Sequence, residues 1–160
     1  MRQLRAEGLD FLDRAPKRFH FEATVDGAPA AVFDAISANP ETWTWFPGVT
    51  GGGYSGPQPP GVGSTRTLRM RGGTYEETML AWDAPTRWTF RVDATSAPIA
   101  KAIVEDWRVA PAAGGRSVVT WTMTMDPTPL FRILSPLAPV VMGRLFRRAM
   151  ANLGRSLHAS

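Results

Sequence analysis

The C-terminal segment from Leu137 to Leu157 constrains the fold most strongly, because its apolar side chains recur at helical spacing. The apolar positions are Leu137, Val141, Leu145, Ala149, Leu153 and Leu157, with Met142, Phe146 and Met150 on the same face. The opposite side carries Arg144, Arg148 and Arg155. This pattern predicts an amphipathic helix of about five to six turns. Because a helix cannot leave so much apolar surface in water, a wide partner must cover it.

Four segments of alternating polarity in the middle of the chain predict an antiparallel sheet that provides this cover. A two-residue hairpin turn at residues 71–74 sets a register that pairs Met70 with Tyr75, Leu68 with Glu77, and Arg66 with Met79. A turn at residues 83–86 sets a second register that pairs Met79 with Phe90 and Glu77 with Val92. Together with the two later strands, these registers predict one apolar face: Leu68, Met70, Tyr75, Met79, Trp88, Phe90, Val92, Ile103, Trp107, Val109, Val119, Trp121, Met123 and Met125.

Shorter elements precede the sheet. Residues 1–16 predict a short amphipathic helix that forms an N-terminal extension, and residues 17–26 alternate as a half-buried strand. A helix is expected over residues 29–38, and a second one begins at Pro40 after an Asn39 cap. The second helix includes Trp43, Trp45 and Phe46. The segment 51–63, rich in glycine and proline, predicts a loop with at best a short, irregular edge strand.

Composition excludes several classes of site. The chain has no cysteine, which rules out disulfides, thiol nucleophiles and cysteine-bound metals, and its two histidines are isolated in the sequence. We therefore expect no metal site and no cofactor. The net charge of +4 comes from scattered arginines, without aromatic interleaving, so no nucleic-acid partner is predicted. No apolar run approaches the ~20 residues that span a bilayer, so we expect a cytoplasmic protein without stable membrane insertion. The sequence leaves the oligomeric state open.

The order of these elements and several stretches resemble the START-like superfamily, also called SRPBCC, and within it the polyketide cyclase/dehydrase-like members. The stretches are "AVFDAISANPETWTWFPGV", "GVGSTRTLRM", "YEETMLAWDAPTRWTFRV", "EDWRVAPAAGGRSVVTWTM" and the closing helix, which cover about residues 19–157. The resemblance implies an α+β helix-grip fold, in which a curved antiparallel sheet wraps around the long C-terminal helix. Two short helices follow the first strand, and a hydrophobic cavity lies between sheet and helix. It also implies a single ligand-binding domain over residues 17–160, with residues 1–16 outside it.

Two carboxylates, Glu77 and Glu105, fall on the apolar face and are the candidate catalytic residues. A carboxylate among apolar side chains must be paired, hydrogen-bonded or protonated. The predicted registers place Glu105 beside Phe90 and Glu77 beside Val92, on the order of 11–12 Å apart, which is too far for a shared proton. They are candidates for holding the ends of a ligand or for general acid/base catalysis with a raised pKa. The alternative is a structural carboxylate at the rim, paired with Arg66 or another arginine.

The expected function is binding of a hydrophobic small molecule, such as a lipid, sterol or polyketide, by a carrier or sensor. The predicted ligand-binding residues are Trp45, Tyr54, Leu68, Met70, Tyr75, Met79, Trp88, Phe90, Trp107, Trp121, Met123, Met142, Phe146 and Met150. If the family geometry holds, Trp45 and Tyr54 flank the entrance. One alternative is a polyketide cyclase or aromatase that uses a cavity carboxylate. Another is a partner of anionic lipid or protein that uses the basic side of the last helix.

Overall fold

A computed structural model describes residues 1–159. Its strands are β1 (Arg2–Gln3), β2 (Lys17–Val25), β3 (Val49–Ser55), β4 (Thr65–Met70), β5 (Gly73–Asp83), β6 (Arg87–Thr95), β7 (Ala100–Ala112) and β8 (Arg116–Pro127). The helices are α1 (Phe11–Arg14), α2 (Pro29–Ser37), α3 (Pro129–Leu134) and α4 (Ala138–Ala159). Single 3-10 turns lie at Pro40–Thr42, Ala113–Gly115 and Ser135–Leu137.

The sheet is antiparallel, with strand order β2-β8-β7-β6-β5-β4-β3, and α4 packs across its apolar face. Alternation along the strands sends apolar side chains to this one face, where they form the main core with α2 and α4. The helix contributes Phe146, Ala149, Met150 and Leu153, all fully or almost fully buried. The predicted α+β helix-grip fold is confirmed.

The register of the first hairpin was predicted wrongly by two residues. In the structure Arg66 pairs with Glu77, Leu68 with Tyr75, and Met70 with Gly73. Gly73 is the first residue of β5 and does not form the turn. The position requires glycine, because its φ is +152° and an added Cβ would lie 3.0 Å from the Ser96 hydroxyl oxygen. A shift of two residues leaves each side chain on its own face, so the predicted apolar face is retained. The second register, with Met79 opposite Phe90 and Glu77 opposite Val92, is confirmed.

The N-terminal segment is not the amphipathic helix that its spacing predicts. Only one helical turn forms, at Phe11–Arg14, and residues 2–3 pair with β6 where its ladder with β7 has ended. Leu4 is buried against inner-face residues of the sheet, and Phe11 is buried against its outer face. Tertiary contacts along the sheet therefore determine the conformation of this segment, and its local helical spacing does not.

The region after α2 is also less helical than predicted. The second helix is a single 3-10 turn, Pro40–Thr42, and the tryptophans that follow it belong to an irregular segment. Asn39 caps nothing; its side-chain oxygen accepts a hydrogen bond from the Tyr54 backbone at 2.9 Å. The glycine-rich stretch does form the irregular edge strand β3, with a register shift between Val49 and Gly51.

The apolar face of α4 differs at its beginning from the predicted one. Leu137 and Val141 are 70% and 62% exposed, although they lie in the predicted series. Residues four apart advance about 400° around a helix, so a strict series drifts by about 40° at each step. Over four steps the series therefore moves from the exposed side at Leu137 to the buried side at Leu153. By length and composition alone, the helical segment Pro129–Ala159 could cross a membrane, contrary to the expectation that no apolar run is long enough.

Candidate functional site

A cavity of about 260 Å³ lies between the sheet and the N-terminal half of α4. Most of its wall is apolar, and the charged side chains in the wall are Arg66, Glu77 and Glu105. Strands β4 to β8 supply the floor, while Phe131, Met142 and Leu145 supply the opposite wall. The cavity thus exists because the sheet remains apolar beyond the part of α4 that packs tightly on it.

The structure brings part of the predicted ligand-binding set to the cavity wall. The lining residues from that set are Leu68, Met70, Tyr75, Phe90, Trp107, Trp121, Met123 and Met142, and both candidate carboxylates join them. The other six predicted residues do not line it: Trp45, Tyr54, Met79, Trp88, Phe146 and Met150. The binding role of both groups stays a prediction.

The six residues away from the wall have other packing partners. Trp88 donates its indole N–H to the sulfur of Met79 at 3.2 Å, within the core. Tyr54 donates its hydroxyl to the Ser37 backbone carbonyl at 2.9 Å, so it does not flank an entrance. Trp45 is buried against Trp43, with ring centroids 4.9 Å apart. Sheet parity gives the face of a residue, but it cannot separate the packed part of that face from the open part.

Arg66 and Glu77 form a buried ion pair at one end of the cavity. The Arg66 Nε donates to the Glu77 carboxylate at 2.7 Å, and Nη2 also contacts it. Four aromatic rings surround the guanidinium, with centroid distances of 4.7 Å to Trp88, 5.0 Å to Phe90, 5.1 Å to Trp43 and 5.7 Å to Tyr54. Such cation–π contacts replace part of the hydration that the cation loses on burial. The pairing with Arg66 that the sequence suggested is correct, but the pair is buried and does not lie at a rim.

One donor of this pair is free. The Arg66 Nη1 makes no hydrogen bond within residues 1–159, although it is fully buried. Burial raises the pKa of Glu77 to about 7, while the guanidinium of Arg66 acts in the opposite direction. A buried donor without a partner is costly, so a ligand oxygen that reached Nη1 would be bound favourably.

Glu105 occupies a different environment in the same wall. It makes no salt bridge within the described residues, and its Oε2 accepts a hydrogen bond from the indole N–H of Trp121 at 2.9 Å. Burial, followed by the negative charge of Glu77, raises the pKa of Glu105 to about 7. The indole N–H groups of Trp121 and Trp107 act in the opposite direction and lower the pKa of Glu105, although the Trp107 N–H forms no hydrogen bond of ordinary geometry among residues 1–159. Glu105 can therefore change its protonation state near neutral pH while facing the cavity.

Sequence reasoning missed several lining residues. The residues that line the cavity but were not predicted to bind a ligand are Trp43, Phe46, Arg66, Ile99, Met125, Phe131 and Leu145. For Arg66 a signal was available, because the corrected hairpin register pairs it directly with Glu77. Ile99 lies in a connecting loop, and Phe131 lies in the six-residue helix α3. Neither segment is long enough for a periodic pattern to show which way a side chain points. Their placement depends on how α3 folds back over the sheet.

A second, larger groove lies on the outer face of the sheet, between α1 and strands β2, β7 and β8. Its volume is about 390 Å³, and its lining is largely polar. The central Asp106 carboxylate already accepts hydrogen bonds from Arg87, Arg108 and Thr89. The central carboxylate is therefore already paired within the protein, and the groove is a weaker candidate for a ligand site. Within residues 1–159, no group of three or more His, Asp or Glu side chains could hold a metal ion.

Comparison with known proteins agrees with this geometry. A sequence profile described as polyketide cyclase / dehydrase and lipid transport matches residues 17–158. The chain belongs to this family. Uncharacterized proteins from Mycobacterium tuberculosis and Mycobacterium bovis are each 34% identical over 148 residues, covering 88% of this chain and 86% of theirs.

Solved structures show the same fold at low sequence identity. A START superfamily protein from Mycobacterium smegmatis superposes with a TM-score of 0.71 at 9% identity, covering 89% of this chain and 97% of that one. A norcoclaurine synthase from Thalictrum, solved with a transition-state analogue, gives a TM-score of 0.63 at 17% identity, covering 90% and 96%. The chain therefore shares the START-like, helix-grip fold of these structures. These structures establish the fold, while activity depends on the site.

Proposed function

We propose that this protein binds a hydrophobic small molecule in the cavity between the sheet and α4, as a carrier or sensor. The observation that carries the proposal is an apolar cavity whose wall contains a free arginine donor and a carboxylate with a pKa of about 7. Apolar pockets with a few convergent polar groups are the usual form of small-molecule sites. A cytoplasmic location, expected from the absence of cysteine, is part of the same proposal.

The cavity suggests the size and polarity of the ligand. A cavity of about 150 Å³ holds one benzene ring, so about 260 Å³ favours a ligand of about two rings or a short acyl chain over a whole sterol. A carbonyl, hydroxyl or carboxylate oxygen on the ligand would accept a hydrogen bond from Arg66 Nη1. A second polar group would meet Glu105 and the Trp107 indole. A small polyketide, with oxygens spaced along an apolar body, satisfies both contacts, and a fatty acid satisfies one of them.

Native mass spectrometry of the purified protein tests the proposal directly, by searching for a co-purified small molecule. Titration with naphthol and with decanoic acid, followed by tryptophan fluorescence, adds a measurement that does not require a retained ligand, because Trp107 and Trp121 line the cavity. Met123→Trp fills the cavity and is expected to weaken binding about tenfold or more. Val62→Trp, at a position 68% exposed and outside the cavity, is the matched control. Binding that Met123→Trp leaves unchanged, or no response to any ligand, would contradict the proposal.

The environment of Glu105 favours a second candidate, an enzyme of the polyketide cyclase or aromatase type. A carboxyl group with a pKa of about 7 can act as general acid and general base at neutral pH. In this alternative the cavity folds a polyketone, and Glu105 transfers protons during ring closure or dehydration. Glu105→Gln keeps the side-chain shape, so it would preserve ligand binding but abolish turnover of a polyketone substrate. Retention of turnover in this variant would exclude Glu105 as the acid/base.

A further inference from the structure

A group of exposed apolar side chains, called here the apolar patch, covers α3, the 3-10 turn after it and the start of α4. Its members are Leu130, Ile133, Leu134, Leu137, Val140 and Val141, each between 50% and 75% exposed. Scattered exposed apolar side chains are ordinary on soluble proteins, but a continuous group of this kind usually marks an interaction surface. Packing within residues 1–159 therefore does not account for the apolar character of these positions.

The apolar patch continues into a basic stripe on the same side of the helix. Its residues recur at spacings of three and four, and the series continues with the exposed Arg144, Arg147 and Arg148. At a rise of about 1.5 Å per residue, these arginines lie about 5 to 10 Å beyond Val141 along the axis. The exposed side of this segment is thus apolar at one end and cationic at the other.

No acidic residue balances this charge within the segment. Residues 127–160 contain five arginines and no Asp or Glu. Among the described residues, Arg144, Arg147 and Arg148 take part in no salt bridge. Three unpaired, exposed guanidinium groups beside an apolar surface match a partner that is itself apolar inside and anionic outside.

We infer that the apolar patch docks the protein on the surface of an anionic lipid bilayer. Amphipathic segments at such surfaces bury their apolar side about 5–10 Å into the interface, while basic side chains contact the phosphates. A second copy of the chain is a poorer occupant, because in a contact between two patches this segment, which has no Asp or Glu, would offer the arginines no counter-charge.

Docking is peripheral, although the segment Pro129–Ala159 is long and apolar enough to cross a membrane. The inner face of α4 is occupied, since Phe146, Met150 and Leu153 are buried against the sheet. Spanning a bilayer would expose these core contacts, whereas surface docking leaves them intact.

The same segment also forms one wall of the cavity. Phe131, Met142 and Leu145 line the cavity from within, while their neighbours in sequence form the apolar patch outside. Docking would place this wall at the bilayer, so that an apolar ligand could pass between lipid and cavity. The docking itself does not depend on the proposed ligand binding, and the two can fail separately.

Co-sedimentation of the full chain with lipid vesicles tests the inference. Vesicles of phosphatidylcholine with about 30% phosphatidylglycerol are compared with phosphatidylcholine alone, at 50 and 500 mM salt. We expect binding to the anionic vesicles that weakens at high salt, because screening shortens the range of the arginine charges. The variant Ile133→Ser/Leu134→Ser/Val141→Ser and the variant Arg144→Gln/Arg147→Gln/Arg148→Gln should each lose binding by about tenfold or more.

Matched controls are available on the same protein. Val62→Ser removes an exposed apolar side chain elsewhere, and Arg2→Gln/Arg69→Gln/Arg116→Gln makes the same change in net charge at three other exposed arginines. Both should bind as the native protein does. Absence of binding, equal binding to neutral vesicles, or an equal loss in the controls would overturn the inference. So would a dimer, seen by analytical ultracentrifugation, that the triple serine variant dissociates.

A separate readout distinguishes this inference from the proposed function. The triple serine variant should keep its circular dichroism spectrum and its fluorescence response to naphthol or decanoic acid in the absence of vesicles. Vesicle binding without a fluorescence response would support docking and contradict ligand binding. The reverse result would contradict docking alone.

Discussion

The two halves of the contact between α4 and the sheet differ, although the same helix and the same strands form both. In the part of α4 from Phe146 onward, called here the closed half, Phe146 and Leu153 are completely buried. The Phe146 ring lies 5.7 Å from that of Trp121 and 6.0 Å from that of Trp107, between centroids. In the N-terminal half, called here the open half, Met142 and Leu145 are half-buried and face the cavity.

This difference shows that apolar patterning serves two purposes in one helix. The closed half removes side chains from water through protein contacts, and this burial stabilises the fold. The open half leaves the same kinds of side chain against a cavity, where they contribute little to folding and remain available to a ligand. Arg66 and Glu77 lie at the border, with aromatic rings on one side and the cavity on the other. Mutations can therefore separate the stabilising half from the binding half.

The largest expected effect is at this border. Arg66→Met leaves Glu77 buried without its counter-ion, and we expect the free energy of unfolding to fall by about 3–5 kcal/mol in urea denaturation. The double variant Arg66→Met/Glu77→Met removes both charges and should recover most of this loss. A double variant as unstable as the single one would show that the aromatic contacts of the guanidinium, and not the ion pair, are what stabilise the fold.

A matched pair of leucines on α4 compares the two halves directly. Leu153→Ala in the closed half should lower the free energy of unfolding by about 3 kcal/mol, because it creates a new internal cavity. Leu145→Ala in the open half enlarges a cavity that already exists, and should cost about 1 kcal/mol or less. The same denaturation experiment measures both. Equal losses would mean that the open half is as tightly packed in solution as the closed half.

A smaller effect than that of Leu153→Ala is expected from the ionisation of Glu105. The pKa of Glu105 rises from 4.5 to about 7 on folding, so the folded protein binds a proton in this range that the unfolded chain has released. The contribution of Glu105 to the free energy of unfolding is therefore greatest below pH 4.5 and decreases as the pH rises towards 7. Glu105→Gln should reduce this decrease and should be more stable than the native protein at pH 8, by on the order of 2 kcal/mol. Thermal unfolding between pH 4.5 and 8 measures it, with the exposed Glu41→Gln as the control for charge.

The face of the sheet on which each strand residue lies was predictable, because side chains alternate between the two faces from one residue to the next. A wrong register at the first hairpin did not disturb the apolar face, since a shift of two residues preserves it. Glu77 and Glu105 were therefore recognisable on the apolar face before their surroundings were known. The pairing of Glu77 with Arg66 or another arginine was one of the alternatives that the sequence left open, and its burial was not predicted.

The remaining differences come from contacts between residues distant in sequence. The helical spacing of residues 1–16 is overridden because Leu4 and Phe11 find partners on the sheet. The drift of the α4 series, from an exposed Leu137 to a buried Leu153, follows from helix geometry, but the buried side is known only once the sheet is in place.

The sequence alone determined the class of this protein: the order of strands and helices, the apolar face of the sheet, the long last helix and the family. The family follows from a resemblance, and the other features follow from local periodicity, which each segment carries in itself. Only the tertiary structure decided which apolar residues pack against each other, which line a cavity and which remain in water. The physical reason is that burial depends on the distance and angle between α4 and the sheet. No single segment contains that information.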